Sequence, residues 1–136
     1  PCTIAMRQNP YGQRTIPNPE RVPLCMTDDD PRHGTAFGAA YVIGLATALA
    51  PAGVSVWTPA ALYGPRGLHG PMVEALSVLA ACAGQKVHRA TISGGLAELQ
   101  VGNLLLRANL TPTELNGLPP YGWSQSNLAA RNDNPL

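Results

Sequence analysis

Residues 36–50, Ala-Phe-Gly-Ala-Ala-Tyr-Val-Ile-Gly-Leu-Ala-Thr-Ala-Leu-Ala, carry no charged side chain anywhere along their length. Alanine and leucine dominate the run and favour a helix, and Thr35 stands where an N-terminal cap belongs. A helix that is apolar all round is covered on more than one side. Gly38, Ala39, Ala40, Gly44, Ala46 and Ala48 leave room for that close approach. The stretch is too short for a membrane span of about 20 apolar residues, and Gly38, Gly44 and Pro51 interrupt it. Whatever this chain builds, it builds around a buried helix.

The flanking pattern predicts the rest. Cys2 to Gln8 read as a short strand stopped by Asn9-Pro10-Tyr11-Gly12. A proline-punctuated loop then runs to about residue 35 and ends in Asp28-Asp29-Asp30-Pro31-Arg32-His33-Gly34. After the helix, Pro51-Ala52-Gly53 is a stop, and Val54 to Trp57 read as a short buried strand. Pro71 opens a second helix that runs to about Ala83, with Gly84 as its stop. Val87–Ile92, Leu96–Val101 and Leu104–Leu110 read as strands, the last two joined tightly by Gly102-Asn103. From Thr111 onward, Pro, Asn and Gly predict a loose tail. The fold class is α/β followed by β: two βα units in residues 1–85, then part of a small antiparallel β-domain in residues 86–136.

Two βα units cannot close a barrel, which takes eight strands and typically about 250 residues. They also leave parallel strand edges that proteins normally cover. The chain of 136 residues is therefore expected to be a fragment of a larger enzyme, or a piece that pairs with a second copy or another chain. Its opening, Pro1-Cys2-Thr3-Ile4, has neither a methionine nor a basic leader, which suits the end of something longer.

Charge narrows the function classes. Only 12% of residues are charged and the net charge is +1, with no basic stripe, so no nucleic acid is expected as partner. No membrane association is expected either. Cys2, Cys25 and Cys82 are an odd number without CxxC spacing, which predicts reduced thiols in a cytoplasmic protein. His33, His69 and His88 are scattered, so neither a metal nor any other cofactor is expected. No G-x-S-x-G elbow is present, and Gly94-Gly95 precedes a strand where a phosphate loop would precede a helix.

Several polar residues have a plainer reading beside a functional one. Asp28 and Asp29 suit a solvated loop better than a cation site or a general base. Arg32 can anchor its loop by pairing with Asp30. His33 has the titration range of an acid–base group, yet reads as a loop residue. Trp57 fits a core position as well as an exposed aromatic platform. Glu74 and Glu98 read as exposed faces of a helix and a strand. Asn109-Leu110-Thr111 matches a glycosylation sequon, but Pro112 follows and nothing else looks secreted.

Four segments follow one another in order: "MRQNPYG" at Met6 to Gly12, "DPRHGTAFGAAYVIGLATALAPAGV" from Asp30 to Val54, "GPRG" at Gly64 to Gly67, and "LLLRANLTP" at Leu104 to Pro112. The series resembles the C-terminal portion of the D-apionate lactonase family, in which a (β/α)8 barrel related to barrel glycoside hydrolases is followed by a β-sandwich domain. The resemblance implies a hydrolase of carbohydrate metabolism that opens the lactone ring of a branched sugar acid. It makes Cys2–Gln8 the seventh barrel strand and Val54–Trp57 the eighth, the last two βα units of the barrel.

Active sites of such barrels sit at the C-terminal ends of the strands. Asn9 and Tyr11 then stand at one end, Trp57 and Thr58 at the next, with Asp30, Arg32 and Arg66 in loops on the same side. These seven are the expected substrate-binding residues, with a sugar lactone or sugar acid as partner. No catalytic residue is assigned. The first six strands are not supplied, and Ala61 stands about where relatives carry a glutamate before the GPRG-like turn. The rival expectation is a non-catalytic binding or assembly module that pairs through its exposed βα face, as a homo-oligomer or with a missing barrel segment.

Overall fold

The computed structural model describes residues 19–20, 30–64 and 66–128. The expected first strand, Asn9, Tyr11, Asp28, Asp29, Cys2 and Cys25 lie outside the described residues.

The charge-free run forms α1, Ala36–Leu49. Thr35 occupies the cap position, but its hydroxyl donates to the Arg32 carbonyl at 2.8 Å and caps no helical N–H. Alanine propensity and burial therefore hold the first turn. A single 3-10 turn, Ala50–Ala52, ends the helix, and Gly53 closes it at φ 66°, a conformation glycine adopts without steric cost. The second helix, α2, spans Met72–Ala81 with Pro71 just before its first turn.

Four antiparallel strands follow in simple order: β1 (Val87–Ser93), β2 (Leu96–Val101), β3 (Leu104–Asn109) and β4 (Trp123–Asn127). The Gly102-Asn103 turn joins β2 to β3 with Val101 opposite Leu104. Alternation along β2 buries Ala97, Leu99 and Val101, and their partners Ala108 and Leu106 lie on the same face of β3. Helix α1 lies across β1, β2 and β3 and against α2, so one core joins helices to sheet. Val42, Ile43, Met72 and Leu106 are its largest apolar members, each worth about 1.5–3 kcal/mol on burial. Close packing needs the small residues. A Cβ on Gly44 would lie 2.9 Å from a methyl of Leu110, and one on Gly38 would strike the His33 carbonyl. On the outer face Glu98 sits between Arg89 at 2.8 Å and Arg107 at 3.5 Å, so it is part-covered where the sequence suggested full exposure.

Two sequence expectations are corrected. Residues 54–59 form no strand; Val56 is 85% exposed and Val54 44%. The Val-Ser-Val-Trp pattern has strand propensity, but no strand runs beside it among the described residues, and an unpaired segment cannot form a ladder. The expected loose tail is also wrong for residues 111–128. β4 pairs with β3 from Ala108 opposite Trp123 to Leu104 opposite Asn127. The connecting loop contains a two-residue Asn116-Gly117 turn with φ of 51° and 76°, closed by reciprocal Leu115 and Leu118 backbone bonds of 3.0 and 2.9 Å. That is the positive-φ chemistry of a tight hairpin turn.

Candidate functional site

Two loops meet at the N-terminal ends of the helices. The first, Asp30–Thr35, is wound back on itself: His33 N–H donates to the Asp30 carbonyl at 2.9 Å and Thr35 N–H to the Arg32 carbonyl at 3.2 Å. The Asp30 carboxylate is wholly enclosed. Its Oδ1 accepts from the Arg32 backbone N–H and Nε, both at 3.0 Å, and its Oδ2 from Arg32 Nη2 at 2.7 Å. This bidentate clasp holds the Asp30 carboxyl below its ordinary value against the opposing effect of burial, and raises the Arg32 guanidinium. About half of the Arg32 side chain stays exposed, and its guanidinium lies 5.0 Å above the ring of Phe37.

The second loop, Ala60–Gly70, closes through Ala61 N–H to the Arg66 carbonyl at 2.9 Å and Gly67 N–H to the Gly64 carbonyl at 2.8 Å. His33 fastens the loops together. It is 1% exposed and its Nε2 lies 2.8 Å from the Gly67 carbonyl. A carbonyl only accepts, so Nε2 carries the proton. The His33 and His69 rings lie 5.0 Å apart, and a Cβ on Gly34 would stand 2.8 Å from the His69 ring, which explains the glycine. Arg32 and Arg66 are each one residue from an end of the His33–Gly67 bond.

Of the expected substrate-binding residues, Asp30, Arg32 and Arg66 belong to this junction. Thr58 is exposed. Trp57 is half-buried and packs against the core, in a groove of about 470 Å³ with Leu49, Val56, Leu76, Leu79 and Val101 along its walls. Among the described residues no group of three or more His, Cys, Asp or Glu is placed to hold a metal ion. No helix among them is long and apolar enough to cross a membrane.

Sequence reasoning missed what the β3–β4 loop brings. Asn109 is fully buried. Its Oδ1 accepts from Thr111 N–H at 2.9 Å and Thr111 Oγ1 at 2.7 Å, and its Nδ2 faces the carbonyls of Thr113, Pro119 and Leu118 at 2.7, 2.9 and 3.3 Å. This hub shapes the loop so that Tyr121, at φ 54°, stands edge-on to Phe37 at 5.1 Å. An asparagine bonding two residues ahead is a turn signal readable in Asn109-Leu110-Thr111, which the sequence reading weighed only as a sequon and set aside. Tyr121 had no local signal, because its neighbour Phe37 is far away in the chain.

A family model described as "D-apionate lactonase, TIM barrel domain" matches residues 1–99. The D-apionate lactonase of Brucella anthropi is 44% identical over 68 residues, which is 50% of this chain and 11% of that protein. The match thus spans about a tenth of that relative's length. No solved structure matches. The matched range holds both loops, both helices and the first strands of the sheet. The chain belongs to the D-apionate lactonase family.

Proposed function

We propose that this chain contributes the closing part of a barrel hydrolase that opens the lactone ring of a branched sugar acid, D-apionate lactone being the nearest candidate. Residues 1–85 would supply the last two βα units, with Cys2–Gln8 as one strand and Val54–Trp57, unpaired among the described residues, taking up the other only beside the preceding barrel strands, and residues 86–136 the start of the β-domain. The observation that carries the reading is the junction of the Asp30–Thr35 and Ala60–Gly70 loops inside the region matched to the family. Arg32 and Arg66 stand one residue from either end of its His33–Gly67 bond, at two successive helix entrances.

In lactone hydrolysis water adds to the ring carbonyl carbon, and the carbonyl oxygen takes up negative charge. The ring C–O bond then breaks, and the alkoxide takes a proton to leave a hydroxy acid. N–H donors aimed at the developing oxyanion lower that barrier, and Arg66, with the outer N–H groups of Arg32, is assigned this work. Asn9, Tyr11 and Thr58 are assigned to lining the substrate, and the enclosed Asp30 to holding Arg32 in place. The base that activates water is placed on another part of the barrel. A cytoplasmic setting, where thiols stay reduced, suits the reading.

The test is a chimera in which the preceding barrel segment of the Brucella anthropi enzyme is joined to this chain. Lactone opening at least a hundredfold above the spontaneous rate is expected, with the unjoined chain near background. A soluble, folded chimera that leaves the lactone untouched sinks the reading. A second reading, an assembly module, is favoured by one observation: Val56, Leu62 and Tyr63 are 85%, 71% and 87% exposed. It requires a stable dimer of the chain alone, readable by light scattering.

A further inference from the structure

Val54, Ser55, Val56 and Trp57 leave their backbone unused. Among the described residues no turn or loop hydrogen bond involves them, and no strand lies beside them. Their side chains are sorted all the same. Trp57 is half-buried against the core, where Leu49 of α1 and Leu76 and Leu79 of α2 wall the groove beside it. Val54 and Val56 are turned to solvent at 44% and 85% exposure, and neither packs on the core.

A lone exposed valine is ordinary on a protein surface. Two at alternate positions, on a segment whose backbone is unpaired, ask for a partner. Strand side chains point alternately to opposite faces. A straightened Val54–Trp57 therefore puts Ser55 and Trp57 on one side and Val54 and Val56 on the other. The packing of Trp57 fixes which side is which: its side rests on α1 and α2, and the valine side looks away from both helices. In a (β/α)8 barrel the strand face away from the helices is the interior, which is filled by layers of bulky branched side chains.

We propose that Val54 and Val56 form an interior docking face, closed by the Val, Ile and Leu side chains of the preceding barrel strands. This facing rests on the barrel reading above and adds to it the direction of each side chain in the last strand. Trp57 then belongs between strand and helices, away from any substrate. The amount of barrel outside the matched range favours this occupant over a second copy. A barrel takes typically about 250 residues, whereas the barrel-domain model matches residues 1–99 here, and the aligned stretch is 11% of the Brucella anthropi relative. Helices α1 and α2 already pack side by side, as successive helices of a barrel's outer ring do.

The test compares the 136-residue chain alone with the chimera that joins it to the Brucella anthropi barrel segment. Val56→Asp is expected to leave the melting temperature of the chain alone within about 3 °C, as a surface substitution does. In the chimera the same carboxyl group is buried among apolar side chains, so the melting temperature should fall by about 10 °C or more, or soluble folded protein should be lost. Val56→Ile keeps an apolar branched side chain and should recover most of that loss. The face is overturned if the Val56→Asp chimera melts as its parent does, or if the parent chimera is no better folded than the chain alone. A dimer of the chain alone that Val56→Asp turns into a monomer overturns it too, and gives the face to a second copy. A folded chimera sensitive to Val56→Asp that leaves the lactone untouched removes the lactonase reading and keeps this face. An active chimera indifferent to Val56→Asp does the opposite.

Discussion

His33 Nε2 lies 2.8 Å from the carbonyl of Gly67, thirty-four residues along the chain, and both residues are buried. This bond joins the two helix entrances, and its removal leaves an enclosed carbonyl without a donor, which costs about 1–3 kcal/mol. His33→Leu is expected to lower thermal stability by that amount. His33→Gln, whose amide nitrogen can reach the same carbonyl, should recover at least half of the loss. Equal melting temperatures for all three chains would show that the bond does not hold the loops.

Gly38 should defy helix propensity. Alanine is normally favoured over glycine inside a helix by about 1 kcal/mol. Here the new methyl would run into the His33 backbone carbonyl and crowd the Met72 side chain. Gly38→Ala is therefore expected to destabilise the chain by about 2 kcal/mol or more, whereas Ala48→Gly, at an exposed position of the same helix, should lose only about 1 kcal/mol. Denaturant unfolding of the pair reads both signs.

The Asp30–Arg32 clasp predicts a response to acid. The folded-state pKa of Asp30 is lowered from 3.8, first by its bond to Arg32. Its contribution to stability is thus complete above pH 3.8 and is lost as pH falls through the lower, folded value. Asp30→Asn should cost about 1–2 kcal/mol at neutral pH and remove the part of the acid sensitivity that falls below pH 3.8. Parallel pH–stability curves for the two chains would assign that sensitivity elsewhere.

Asn109 supports the β3–β4 loop with a donor to carbonyls on one side and an acceptor on the other. Asn109→Asp keeps the shape and replaces the donor with oxygen facing three carbonyls. A loss of about 3 kcal/mol is expected, as for other uncompensated buried charges. Amide exchange should rise first at Thr111 and Tyr121, whose N–H groups bond within the loop. Exchange rising evenly over the whole sheet would make Asn109 a general core residue.

The sequence made the local elements legible and left the meetings between them hidden. Helix α1 followed from an uninterrupted apolar run, and β2 and β3 from alternation around Gly102-Asn103. The Asp30–Arg32 pair was readable because its partners lie two residues apart. Val54–Trp57 misled because strand propensity expresses itself only against a neighbouring strand. β4 was missed because Trp-Ser-Gln-Ser-Asn is polar and lies at a sheet edge, where one apolar side chain suffices. His33, Phe37 and Tyr121 gained their importance from residues distant in the chain, which no local pattern records.

The sheet that covers α1 is an unbroken meander, each strand pairing with the next one made. Such neighbouring hairpins close within microseconds once their residues are available. During synthesis, however, α1 emerges before any of those strands, and at about 5–20 residues per second the gap lasts several seconds. For that interval the sheet face that lies against this charge-free helix does not yet exist. The order of the elements makes the sheet the last part of this core to arrive, and the completion of β3 the moment at which α1 gains it.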